Sequence, residues 1–168
     1  WSQRVFVNRN ISFADDISGF LPLEGSQPIV EESDDFVHLV IVGMSKMGVS
    51  MATEAAHLSH YPNFDRDTNL KTRITFIDSR CDKEMLLFKA RFAELFYLSK
   101  WAYTDSVGKS DIYKTVEWKN EDFYDKNSYL GKDFIDVEWE FIKGGIESSE
   151  IHSYLKDAVN NPHARFTL

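Results

Sequence analysis

The chain has a single cysteine, Cys81, which excludes an internal disulfide and a cysteine-rich zinc site. A lone thiol fits a reducing compartment. Nothing upstream marks Cys81 as a nucleophile, so it reads as a half-buried structural residue. Long apolar runs are missing too. None approaches the roughly 18 residues that a membrane span needs. Residues 1–30 lack a basic start followed by an apolar stretch, so no signal peptide is visible. Trp1 is not a natural first residue, and the chain reads as a fragment of a larger protein. Positive charge is also in deficit: 19 Lys and Arg stand against 27 Asp and Glu, a net charge of −8. Such a surface repels phosphate backbones and excludes nucleic acid as a general partner. No internal repeat appears. What remains is 168 residues with 43% apolar content, enough for one packed domain with extensions. The expected location is cytoplasmic.

The most informative stretch is Phe36 to Gly48. Phe36-Val37-His38-Leu39-Val40-Ile41-Val42 is apolar on both faces apart from His38. Such strands belong to parallel sheets covered by helices. The run ends on Gly43, and Gly48 opens a helix expected from about Lys46 to Ser59, stopped by Pro62. Before it, residues 1–35 read as an N-terminal arm, with five acidic residues between Glu24 and Asp35 and a short strand at Val5–Val7. His57 and His60 share a helix face, but no third ligand stands at metal spacing, so they read as helix-end histidines.

Thr72 to Ile77 alternates and ends at Asp78, the second strand. Asp82 to Trp101 reads as one long helix with an apolar stripe too wide for a single contact. It requires burial under another part of the domain, or a partner. Residues 102–132 read as an irregular aromatic insertion. Phe134 to Ile142 alternates, with Asp136, Glu138 and Glu140 on one face; that face is expected to be wet and the strand to be a sheet edge. Ser148 or Ser149 caps a helix with Ile151, Tyr154, Leu155, Ala158 and Val159 at helical spacing, and Ala164–Leu168 begins a last strand. The expected fold is therefore α/β: a Rossmann-like three-layer domain over 36–168, parallel strands in the order 3-2-1-4, with the arm and the insertion before the third strand.

Strand, glycine turn and helix form a unit that cradles phosphate. Gly43 permits the tight turn, and Gly48 permits close contact of helix and strand. The N–H groups of Ser45, Lys46 and Met47 would face phosphate oxygens at the helix N-terminus. Ser45 occupies the middle glycine position of G-x-G-x-x-G; its hydroxyl can donate to a phosphate, and Lys46 adds positive charge. Asp78 at the second strand's tip suits two ribose hydroxyls and favours NAD(H) over NADP(H), although Arg80 could hold a 2′-phosphate. The alternative for Asp78 is a plain strand-end or capping residue.

The segments His38–Gly48 and Ile74–Asp78 resemble the Trk-type nucleotide-binding domain, the RCK or KTN family that regulates potassium conductance. The resemblance covers 36–78 well and 134–168 loosely. It implies a Rossmann fold binding NAD(H), ATP, ADP or a related nucleotide, dimerisation, and control of a membrane transporter or channel from the cytosolic side. The family's glycine motif falls on Gly43 and Gly48, and its acidic residue on Asp78. The implied contacts are Gly43, Met44, Ser45, Lys46, Met47, Gly48, Asp78, Ser79, Arg80 and, from the loop after the third strand, Gly144. The chain departs from the family at Ser45, at Gly144-Gly145 where Gly-Asp is usual, and in the insertion.

The favoured function is a non-catalytic NAD(H)- or nucleotide-binding regulatory domain, with NADP, ATP, ADP or AMP as alternative ligands. A homodimer or an attached domain is the expected partner. Two alternatives stand beside it: the cofactor half of an NAD-dependent oxidoreductase, and a degenerate Rossmann module used only in assembly. A hydride-transferring enzyme needs an acid or base over the cofactor, and no Tyr-x-x-x-Lys pair is present. A serine-hydrolase reading fails on Met47, where a nucleophile elbow needs a small residue. His152 and His163 do not follow the expected triad order.

Overall fold

The computed structural model describes residues 22–105 and 135–168. Among the described residues the elements run β1 (Phe36–Val42), α1 (Lys46–Leu58), α2 (Asn63–Arg66), β2 (Thr72–Asp78), α3 (Cys81–Arg91), α4 (Ala93–Leu98), β3 (Lys100–Asp105), β4 (Val137–Lys143), α5 (Ser149–Asn160) and β5 (Ala164–Thr167). The strands form one sheet in the order β3-β4-β2-β1-β5, parallel at every neighbouring pair. Helices flank it, a Rossmann-like three-layer α/β fold. The four expected strands keep their relative order 3-2-1-4 as β4, β2, β1 and β5. The expected strand at Val5–Val7 and the 106–132 part of the expected insertion lie outside the described residues.

Alternation along each strand divides the core between two faces. Val37, Leu39 and Ile41 join Ile74, Phe76, Trp139 and Phe141 beneath Ala52, Ala55, Met85, Phe88 and Phe96. On the opposite face Val40, Ile77 and Ile142 pack with Ile151 of α5. Alanines on α1 let its backbone approach the sheet. The arm contributes as well: Leu23 and Ile29 are buried in the larger core, and the Tyr61 hydroxyl donates to Glu24 at 3.1 Å.

Three expectations are corrected. The helix after β2 is not continuous to Trp101. It breaks at Phe92 (φ −123°, ψ 41°) into α3 and α4. The break lets Phe88 and Phe96 both reach Trp139, with ring centres at 5.3 and 5.7 Å. Such aromatic pairs contribute about 0.5–1.5 kcal/mol each beyond burial. The wide apolar stripe is thus divided by a change of direction, which leaves Leu86 and Leu87 exposed.

Next, residues 100–105 are not helix end and insertion but strand β3, with Trp101 opposite Trp139 and Tyr103 opposite Phe141. Finally, β4 is interior, hydrogen-bonded to β2 on one side and β3 on the other. Its acidic face is not wet: Glu138 and Glu140 are each 8% exposed. Arg73 Nε donates to Glu138 at 2.7 Å, and Thr75 Oγ1 donates to Glu140 at 2.7 Å. Polar alternation here encodes polar partners on the neighbouring strand instead of solvent.

Candidate functional site: the glycine turn and its crevice

The site is built where β1 ends. Gly43 has φ +94°, a conformation L side chains rarely adopt, and this turns the chain out of the sheet. Its N–H donates to the Ile77 carbonyl at 2.8 Å, so the turn starts while still tied to β2. Ser45 then caps α1. Its backbone is extended (φ −68°, ψ 167°), and Oγ accepts the Gly48 N–H at 3.2 Å. Gly48 is buried against the turn. A Cβ there would stand 2.5 Å from the Gly43 carbonyl oxygen and 3.2 Å from Ile41 Cγ2.

Asp78 closes the turn from β2. One carboxylate oxygen accepts the Met44 N–H at 2.8 Å, and the other accepts the Arg80 N–H at 2.7 Å. The carboxylate is therefore a clamp between two backbone segments. Each oxygen retains a second lone pair for a further donor. The Gly144 N–H donates to the Asp78 carbonyl at 3.2 Å, which brings the loop after β4 to the same edge. Ser79 is exposed. The Arg80 guanidinium is 73% exposed and reaches Glu84 at 3.7 Å.

All ten sequence-predicted residues thus lie along the C-terminal edge of β1, β2 and β4. Met44, Arg80 and Gly144 are joined to Asp78 through the hydrogen bonds just given, and Gly43 to its neighbour Ile77. Lys46 and Met47 stand exposed on the first turn of α1, with Met47 at 61%. The N–H groups of Ser45, Lys46 and Met47 have no acceptor among the described residues, as expected for a helix start. The Ser45 hydroxyl accepts at the cap and still has its own proton to donate.

Beside the turn, between β1 and β5, lies a cavity of about 220 Å³. Val40, Val42, Met47, Met51, Thr167 and Leu168 make much of its wall. This is where the strand order reverses, the point at which open α/β sheets receive ligands. Its volume is below the roughly 300–1,000 Å³ of a site enclosing a whole small molecule. It has room for one ring system, and the remainder of a larger ligand would lie across the turn toward Asp78.

Other candidates resolve differently. His60 Nδ1 meets Asp136 at 2.8 Å, tying the end of α1 to the chain entering β4. Cys81 is fully buried and its thiol is pushed up to about 12, chiefly by burial and then by Asp78 and Asp82. Ser45 Oγ is turned to Gly48, while His163 sits 3.6 Å from Asp35. Sequence reasoning missed one group altogether: His38, Thr75, Glu140 and Tyr154 meet in a buried polar cluster on the α5 face. The available signal was a polar residue at the same inward position on strands that must be buried on both faces.

The fold and turn define the class: an α/β protein with a Rossmann-like sheet and a glycine turn at its switch point. No protein-family model matches the sequence, and neither a curated protein nor a solved structure matches the chain. Among the described residues no helix is long and apolar enough to cross a membrane.

Proposed function

We propose that this chain is a nucleotide-binding regulatory domain that takes NAD(H) in the crevice between β1 and β5 and carries out no chemistry on it. The observation that supports this most directly is the turn itself. Three backbone N–H groups without acceptors and a serine proton stand beside an apolar cavity, with a carboxylate across the turn, and Lys46 is exposed on the same first turn of α1. A pyrophosphate suits the N–H groups, a ribose suits Asp78, and a ring suits the apolar wall. In this reading ATP, ADP, AMP and NADP are competing ligands. The domain acts by shifting an attached domain or a second copy between two arrangements as the ligand binds. The resemblance to the Trk-type family suggests that the regulated partner is a potassium channel or transporter, with the domain on its cytosolic face.

A second reading is favoured by one observation. Asp78 already accepts two backbone N–H groups, so it has a structural task without any ligand. A module used in assembly alone would keep the same clamp. Asp78→Ala is consequently a poor test, because it loosens the turn as well as removing a ribose contact. Ser45→Asp is better: aspartate caps a helix as well as serine, yet places negative charge where phosphate would sit. Thermal unfolding of the wild type is measured with NAD, NADH, NADP, ATP, ADP and AMP. A ligand at a hundred times its Kd stabilises by about 2.7 kcal/mol. The expected result is stabilisation by NAD(H), abolished in Ser45→Asp, whose unliganded midpoint stays near wild type. No response to any nucleotide refutes binding and selects the assembly module.

A further inference from the structure

The face of the sheet beneath α5 carries a buried polar layer that the crevice does not use. In register across the strands stand Lys100, Glu138, Arg73, His38 and Phe166. One step nearer the crevice stand Ala102, Glu140, Thr75 and Val40. Tyr154 joins this layer from α5. Thr75 Oγ1 and Tyr154 Oη both donate to Oε2 of Glu140. His38 Nε2 lies 2.9 Å from Thr75 Oγ1 and 3.2 Å from Tyr154 Oη.

Counting protons assigns the tautomer. Each hydroxyl has one proton, and both are committed to the carboxylate, which leaves the 3.1 Å contact between Thr75 Oγ1 and Tyr154 Oη without a hydrogen. The contacts at Nε2 therefore need the imidazole as donor. His38 is neutral, protonated at Nε2 and bare at Nδ1. Its ring is 3% exposed, with Phe36 and Phe166 at 6.5 and 5.6 Å.

Charged and titratable neighbours face it from each packed element. β2 supplies Arg73, β4 supplies Glu138 and Glu140, and α5 supplies Tyr154. Among the described residues β5 presents the Phe166 ring. Burial, reinforced by Arg73, depresses the imidazole to about 3. Arg73 is itself held by Glu138 at 2.7 Å.

We propose that His38, Thr75, Glu140 and Tyr154 form an acid-released latch that holds the α5–β5 unit on the sheet. The step moves one proton from solvent onto Nδ1 of His38, and no covalent bond other than N–H is made. The resulting imidazolium lies between aromatic rings and beside Arg73. It becomes favourable only when α5 and β5 lift and water reaches it. That unit is the part of the fold best able to open alone. Among the described residues β5 is a four-residue edge strand, half-buried throughout and paired only to β1. Beneath α5 the fully buried apolar residues are only Val40, Ile77, Ile142 and Ile151 among those described. Opening also removes Thr167 and Leu168 from the crevice wall. Glu138 does not produce this behaviour: burial raises its carboxyl in the folded state, so its titration opposes acid opening.

The test is amide hydrogen exchange by NMR between pH 7 and pH 4.5, corrected for intrinsic rates, without any nucleotide. The opening constant of α5 and β5 amides should rise about tenfold per pH unit below about 6.5, the slope of a single proton. Amides of central β2 should stay protected beyond them. In His38→Gln the side-chain amide replaces the Nε2 donor and does not titrate, so the slope should vanish. Tyr154→Phe should open more at every pH and keep the slope.

The latch is overturned by a flat profile in the wild type, by α5 amides opening only together with β2, or by a slope that survives in His38→Gln. Imidazole ¹⁵N spectra of the wild type give an arm independent of any variant. A bare Nε2, or an imidazolium at pH 7, also refutes the assignment.

Discussion

Replacing Gly48 with alanine tests the turn most directly. Two effects oppose each other. Alanine is favoured over glycine inside a helix by about 1 kcal/mol. Against this, the added Cβ would lie 2.5 Å from the Gly43 carbonyl oxygen, a backbone atom held by its own turn. The second contact, Ile41 Cγ2 at 3.2 Å, belongs to a buried side chain that cannot swing away. Helix α1 must move off β1 instead, and overpacking of this kind costs typically about 1–3 kcal/mol. Taking the upper end, because the obstacle is backbone, the net loss is about 2 kcal/mol. For a domain of this size that corresponds to a fall of about 4–8 °C in the unfolding midpoint. Urea denaturation should show a lower midpoint with unchanged slope, since the surface exposed on unfolding barely changes. The displaced helix start also carries the N–H groups of Ser45 to Met47, so any nucleotide-induced stabilisation should shrink in parallel. A Gly48→Ala protein as stable as wild type would show that the helix and strand do not touch at this point. The account of the glycine spacing would then fail.

Four further outcomes follow from particular contacts. Ser45→Ala removes the cap oxygen from the Gly48 N–H and should lower stability by about 1 kcal/mol in urea titration, whereas Ser45→Asp should not. Glu138→Ala removes the 2.7 Å partner of the half-buried Arg73 guanidinium, and the loss should be about 1–3 kcal/mol. Replacing both with apolar residues of similar volume should recover most of it. Phe88→Ala empties the centre of the aromatic group around Trp139 and should cost about 3–5 kcal/mol by chemical denaturation. The Cys81 thiol, fully buried and raised to about 12, should resist a disulfide-exchange reagent at pH 8 in the native protein and react at once in denaturant.

Legibility varied from element to element for identifiable reasons. β1, α1, β2 and α5 could be read because local signals agreed: unbroken apolar runs, a cap and a helical period. Ser148 caps α5 by accepting the Ile151 N–H at 3.3 Å, as the pattern there implied. Around Phe92 the local signals did not agree. Helix-forming residues continue through the break, and only the gathering of Phe88 and Phe96 on Trp139 explains the new direction. β3 was obscured for the same reason, since Lys100 to Asp105 follows without a glycine or proline to mark the change. In β4 the alternation was real and its cause was misread. Glu138 and Glu140 face inward because Arg73, Thr75 and Tyr154 wait there. A charge partner 65 residues earlier in the chain, as Arg73 is to Glu138, leaves no trace in local periodicity.

At the candidate site, the chain itself determined Gly43 and Gly48, because a positive φ and a close approach are demands that one residue type answers. It also determined that an acid would stand at the tip of β2. Only the tertiary structure decided what that acid does: Asp78 holds the Met44 and Arg80 N–H groups, so it builds the turn by itself. It also decided that Ser45 caps α1 and that Val40 and Leu168, far apart in sequence, face one cavity. Local preference is written in neighbouring residues. Partnership between strands depends on which ones the sheet brings together, and the order β3-β4-β2-β1-β5 exists only once the chain has folded.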